Sequence, residues 1–202
     1  MSSSNYRVLI GIAAYDKINV ETCASLLTLQ INSKIPIQIR FAPYTYIHVA
    51  RSALLYQAVE IDATHIMFID SDIVFPKDGI ERLLNQDKDI IGGLYHKRTG
   101  DNSPVIFKQV GDKLESIAPD SMTKSFEVDT IGTGFMLIKM EVFKKMEPPF
   151  FYYGDPSEFG LKKIALFDLG EDTTFCLKAR KNGYKVWCDP TLNLGHIGTK
   201  TY

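Results

Sequence analysis

The sequence predicts an α/β fold, a mostly parallel central sheet flanked by helices with a smaller antiparallel hairpin region. Two patterns carry that expectation: apolar runs of strand length alternate with helix-spaced runs through the first half, and two strand-like segments flank a Gly-Asp turn in the second. Tyr6 to Ala13 reads as a buried strand, and Val20 to Gln30 as a helix with Cys23, Leu26, Leu27 and Gln30 near one face. Pro36 to Phe41 is a second strand. Ile47, Ala50, Leu54, Ala58 and Ile61 then recur at helical spacing, and His65 to Asp70 is an apolar third strand. A short helix over Asp78 to Asn85 and a strand over Ile90 to Leu94 continue the alternation. Strands joined by helices of this length imply right-handed crossovers and place ligands at the carboxyl ends of the strands.

The second half is less regular. Val105 to Val110 and Lys113 to Ile117 flank Gly111-Asp112 as a hairpin, and Phe135 to Lys139 is another apolar strand. Between Pro148 and Asp168, paired prolines, Phe151-Tyr152-Tyr153 and Gly154-Asp155-Pro156 predict a mobile loop, a candidate lid over Phe150 to Phe159. Glu171 to Asn182 reads as a helix closed by Gly183, followed by a strand over Tyr184 to Cys188.

Composition narrows the function classes. The 202 residues, 45% hydrophobic and undivided by a linker, imply one domain over residues 1–202, either whole or part of a longer protein. With 23 basic and 24 acidic side chains there is no broad basic face for nucleic acid or an anionic membrane. No run approaches the roughly 20 apolar residues of a membrane span, so a cytoplasmic location is expected. Cys23, Cys176 and Cys188 are odd in number and widely spaced, which argues for core thiols over disulfides or a zinc site.

The chemistry begins at Asp70-Ser71-Asp72. In an extended strand alternate side chains share a face, so Asp70 and Asp72 are expected to reach one cation while Ser71 points away. Carboxylate oxygens suit Mg²⁺ or Mn²⁺, ions that complete their shells with water and substrate phosphates. Arg51 is either a phosphate partner or an exposed helical residue. His196, flanked by Gly195 and Gly198, is either a cation ligand or a hydrogen-bonded structural residue. Glu171 and Asp172 open a helix, where carboxylates are favoured by the dipole whether or not they react. Gly132 and Gly134 fit either a backbone passing close to a ligand or a plain turn.

Four blocks in order carry a resemblance: Ala50-Arg51-Ser52 with Ala63 to Pro76, Gly132 to Ile138, Gly170 to Cys176, and Asp189-Pro190 with Gly195-His196. Together they resemble GT-A-fold glycosyltransferases over nearly the whole chain, and in particular the GT-A domains of large DNA viruses such as chloroviruses. The resemblance implies an inverting transfer of a hexose-type sugar from a UDP-sugar to a hydroxyl of a glycan or glycoprotein acceptor. It also implies Mn²⁺ or Mg²⁺ on Asp70, Asp72 and His196, and a viral protein would act in the host cytoplasm. Donor contacts would come from Ala13, Tyr15, Asp16, Arg51, Asp70, Ser71, Asp72, Gly132 and Gly134, with Tyr15 on the base. Asp172 would be the general base and Glu171 its support, or the two exchanged. Two other readings stand beside it: a haloacid-dehalogenase-like phosphatase using Asp70 as nucleophile, and a nucleotide-sugar-binding module without turnover.

Overall fold

The computed structural model describes residues 6–98, 102–119, 123–163 and 168–198. The first half contains β1 (Val8–Ala13), α1 (Val20–Asn32), β2 (Ile37–Ala42), α2 (Ile47–Glu60), β3 (His65–Asp70), β4 (Ile73–Val74), α3 (Gly79–Leu84) and β5 (Ile90–Gly93). The second contains β6 (Ile106–Val110), β7 (Lys113–Ser116), β8 (Phe126–Val128), β9 (Thr130–Ile131), β10 (Phe135–Lys139) and α4 (Met140–Lys145). It closes with α5 (Glu171–Lys181), β11 (Val186–Asp189) and β12 (Gly195–His196).

A seven-stranded sheet in the order β2-β1-β3-β10-β5-β11-β8 forms the centre. Strands β2, β1, β3, β5 and β11 run one way, and β10 and β8 run the other. This is the mixed, mostly parallel α/β sheet expected from the alternation. The hairpin also forms, with β6 and β7 joined through Gly111-Asp112 and β9 added on the far side of β6.

Side-chain alternation along β3 sorts the core into two layers. Ile66 and Phe68 face the helices α2, α4 and α5, whereas Met67 and Ile69 face α1 and α3. On α2, Ala50, Leu54 and Ala58 are buried as their spacing predicts. On α1 the inward face is Thr22, Ser25, Leu26 and Leu29; Leu27 and Gln30 point to solvent, contrary to expectation. The face turns by about one residue because Leu29, not Leu27, lies a helical turn from Ser25 and Leu26.

The aromatic segment after Pro149 departs from the expected mobile loop. Phe151 is 2% exposed, stacks on Phe175 at 4.9 Å and meets Phe68 edge-on at 5.2 Å. The next turn, Pro156–Phe159, is a 3₁₀ helix capped by Asp155, whose side chain accepts the Ser157 N–H while Glu158 reaches back to the Asp155 N–H. A ring locked in the core anchors this segment. The chain over 164–167 lies outside the described residues.

Candidate active site

The carboxyl ends of β1 and β3 lie side by side, with Ala13 opposite Asp70. Asp70 keeps the parity of Ile66 and Phe68, so its side chain emerges on the face that carries α2 and α5. There it meets Arg51, which α2 delivers from 2% exposure. Arg51 Nη2 donates to Asp70 Oδ1 at 2.9 Å and its Nε to Glu171 Oε1 at 3.0 Å. Burial opposes the charge on Arg51, but Asp70 and Glu171 more than offset it and hold the guanidinium protonated above its usual range. Arg51 is therefore an internal tie between β3 and the start of α5, and its buried Nη1 has no hydrogen-bond partner among the described residues.

Asp72 does not continue the strand alternation. The chain turns at Ser71-Asp72, with the Ser71 carbonyl accepting the Asn19 N–H, because the next two residues form β4 and pair with β12. That pairing sets His196 opposite Ile73 and carries its Nε2 to 3.5 Å from Asp72 Oδ2. His196 Nδ1 donates to the His96 carbonyl at 2.7 Å, which leaves Nε2 as the nitrogen facing Asp72. Arg98 donates to the same Asp72 Oδ2. Burial pushes the Asp72 carboxyl up, yet His196 and then Arg98 hold it below the usual carboxylate range; the Asp72 hydrogen bond in turn raises His196. The two acids of the motif thus have separate partners.

Asp172 stands beside Glu171 in the first turn of α5 and accepts the Thr173 N–H at 2.6 Å. Burial first, and the Glu171 carboxylate second, push its carboxyl up to about 6. Glu171, read as a possible cap, instead accepts from Arg51. Four carboxylates, Asp70, Asp72, Glu171 and Asp172, share this end of the sheet with the guanidiniums of Arg51 and Arg98.

Gly132 and Gly134 have a steric reason that the sequence did not give. A Cβ on Gly132 would land on the Tyr95 hydroxyl, and one on Gly134 would come within 2.8 Å of that ring. The Tyr95 hydroxyl accepts the Gly134 N–H at 3.1 Å, and the Gly134 carbonyl accepts the Asp70 N–H at 3.0 Å. The glycines hold a backbone against Tyr95, whose ring also meets His196 edge-on at 5.3 Å.

Two further features flank the carboxylates. A cleft of about 320 Å³ opens beyond the ends of β1 and β2, lined by Ala13, Ala14, Tyr15, Ala42, Tyr46 and Ala50. Tyr15, 68% exposed, stands edge-on to Tyr44 at 6.2 Å on its rim; Asp16 is exposed beside it. Nearer α5, His48 stacks on Tyr46 at 6.0 Å and meets Tyr153 edge-on at 5.3 Å. The Tyr153 hydroxyl is raised by partial burial and by the charges of Glu171 and Asp172, so this aromatic face borders the acidic pair. Sequence reasoning missed Tyr46 and His48, and it left Arg98 open between a residue facing the sugar or its phosphates and a solvated loop. Tyr46 is the residue before α2 and His48 lies in its first turn, and neither sits in a motif.

Among the described residues no three His, Cys, Asp or Glu side chains converge on one point, as a closed cage requires. Asp72 and His196 stand together, an oxygen and an imidazole nitrogen that suit Mg²⁺ or Mn²⁺ completed by water and phosphate oxygens.

The chain belongs to the glycosyltransferase-like family 2, whose model matches residues 8–194. The crystal structure of A197 from STIV is similar, with a TM-score of 0.63 and 20% identity over 96% of this chain and 86% of that one. At that identity the likeness shows the fold alone. No curated protein matches the chain. The fold is thus of the GT-A kind, and the domain is a glycosyltransferase. Among the described residues no helix is long and apolar enough to cross a membrane.

Proposed function

We propose that this domain is an inverting, divalent-cation-dependent glycosyltransferase that moves a hexose-type sugar from UDP to a hydroxyl of a glycan or glycoprotein. The observation that carries the reading is the separation of roles at one end of the sheet. Asp172 has a carboxyl lifted toward neutrality, while Asp72 and His196 stand together outside the Arg51 tie, which holds Asp70 and Glu171. A general base works best when its pKa approaches the working pH, and Asp172 has that property.

The cleft beside Tyr15 and Tyr46 suits a nucleoside, with a base against the exposed Tyr15 ring. From there a diphosphate reaches the Asp70-Ser71-Asp72 turn. Asp72 and His196 would hold the cation, Mn²⁺ or Mg²⁺, which supplies Lewis-acid stabilisation of charge on the departing diphosphate when bound. The acceptor enters past Tyr46, His48 and Tyr153, rings suited to packing on a sugar face. Asp172 takes the hydroxyl proton as that oxygen forms its bond to the anomeric carbon. The bond from that carbon to the diphosphate breaks, and its electron pair leaves with UDP. Glu171, fixed by Arg51, keeps the start of α5 in place. The resemblance in motif order also favours a viral source. A phosphatase reading needs Asp70 free as a nucleophile, whereas its Oδ1 is engaged by Arg51.

Calorimetry with a panel of nucleoside diphosphates and UDP-sugars, with and without Mn²⁺, tests the reading. UDP is expected to bind much more tightly with Mn²⁺, and Asp72→Ala to abolish that dependence. Equal UDP affinity in excess chelator would refute cation dependence, and a retained anomeric configuration in the product would refute inversion.

A further inference from the structure

Arg98 is absent from the motif blocks, yet it stands on the acid proposed to ligate the cation. It donates to Asp72 Oδ2, the oxygen that also faces His196 Nε2. The segment that carries it is braced. The Val105 N–H donates to the Tyr95 carbonyl at 3.0 Å, the Lys97 N–H to the Ser103 carbonyl at 2.9 Å, and the His96 carbonyl accepts from His196. Across from it, Gly198 passes so close that a Cβ there would come within 3.0 Å of the Arg98 carbonyl. The backbone position is therefore built, while the side chain is 53% exposed and held by Asp72 alone among the ion pairs and hydrogen bonds of the described residues.

We propose that Arg98 couples cation binding to diphosphate binding: it competes with the cation for Asp72 and, when displaced, takes the diphosphate of the donor. This rests on the cation-dependent reading above. A cation arriving alone must take an oxygen from a guanidinium that gains no new partner. A cation arriving with a nucleoside diphosphate gives Arg98 phosphate oxygens whose geometry its fork matches. Each ligand then raises the affinity of the other by the same factor, as linkage requires. The result is a site that stays weak for free metal and closes on the metal–nucleotide pair. Arg98 is a positioning and selectivity residue in this scheme. It does not touch the bond that breaks at the sugar.

The test is Mn²⁺ titration of the full chain, followed by the electron paramagnetic resonance signal of free Mn²⁺, with and without UDP, for wild type and Arg98→Gln. Arg98→Gln is expected to bind Mn²⁺ alone about tenfold more tightly, within the range of coupling between linked sites, and the enhancement of Mn²⁺ binding by UDP is expected to fall by at least that factor. Arg98→Lys keeps the charge without the fork and is expected to hold free Mn²⁺ affinity near wild type while losing part of the UDP enhancement. Thermal unfolding of each variant checks that the domain is intact. Two outcomes overturn the proposal separately from its basis. If wild type shows UDP–Mn²⁺ coupling and Arg98→Gln shows the same coupling and the same free Mn²⁺ affinity, Arg98 is a surface ion pair and the proposal fails alone. If wild type binds UDP equally well in chelator and takes up no Mn²⁺ with it, cation dependence fails and the proposal with it.

Discussion

Asp172→Asn separates catalysis from stability in opposite directions, and both signs follow from the burial of one carboxylate. The folded-state pKa, about 6, lies above the ordinary 3.8, so the fold favours the protonated acid. The stability that protonation gives is complete below about 4 and is lost as pH rises through about 6. At pH 7.5 the wild-type domain carries the cost of an ionised Asp172 beside Glu171, and Asn removes it. The rise from 3.8 to about 6 corresponds to about 3 kcal/mol. The side chain is only partly buried, and solvent screening lowers the expected gain to about 1–2 kcal/mol. For a domain of this size that is roughly 3–6 °C in Tm. The Asn carbonyl still accepts the Thr173 N–H, so the helix start keeps its hydrogen bond.

The same substitution removes the proton acceptor. Sugar transfer is expected to fall by about 10²–10⁴, with UDP and Mn²⁺ affinity nearly unchanged. In wild type, transfer is expected to decline as pH falls through about 6, because the protonated acid cannot accept the hydroxyl proton. Differential scanning fluorimetry at pH 4 and 7.5, with a transfer assay at neutral pH, reads both effects. The reasoning is refuted if Asp172→Asn is less stable at pH 7.5, or if its Tm advantage is the same at both pH values. Near-normal transfer by Asp172→Asn with loss in Glu171→Gln would move the base to Glu171.

Three other perturbations probe the site's supports. Arg51→Met strands Asp70 and Glu171 without their shared cation and is expected to cost about 3 kcal/mol, the low end for a broken buried pair because Asp70 still reaches water; urea unfolding measures it, and a cost under about 1 kcal/mol would deny the tie. Gly132→Ala drives a methyl into the Tyr95 hydroxyl and is expected to lower Tm by several degrees, about the effect of 1–3 kcal/mol of overpacking, with partial recovery in the double variant with Tyr95→Phe. No recovery would point to a cause other than that contact. Phe151→Ala is expected to destabilise the domain by about 3–5 kcal/mol as a core truncation, whereas Tyr153→Ala leaves Tm within about a degree and raises the acceptor KM. The reverse pattern would restore the whole aromatic segment to a lid.

The long periodic elements were legible because burial writes a period into the sequence. The spacing of Ala50, Leu54 and Ala58 gave α2, and the apolar run ending at Asp70 gave β3. Strands β4 and β12 were not legible, since two residues carry no period, yet their pairing brings His196 to Asp72. Strand alternation alone does not bring Asp72 to its partner: the chain turns at Ser71, and it is β12 that supplies His196. Phe151 was hidden by its neighbours. Prolines and glycine give a loop its composition whether or not one ring inside it reaches the core. Arg51 shows the other limit, because its two carboxylate partners lie 19 and 120 residues away, and only the sheet's parity and the packing of α5 bring them together.

That arrangement explains why an arginine suits position 51. Asp70 and Glu171 approach from different elements, β3 and α5, and accept from different nitrogens of one planar group. A lysine ammonium is a point charge on a flexible stem and cannot fix two carboxylates along two directions of a rigid fork. Burial at 2% exposure makes the cost of losing either partner high, so the geometry is held firmly. The strand end that begins the Asp-Ser-Asp turn and the helix start that bears Asp172 are thereby locked to one another. Under the proposed function, the distance between leaving group and base is then set by a buried ion pair in the scaffold, and the solvent-facing parts of the site are left to Arg98 and the exposed tyrosines.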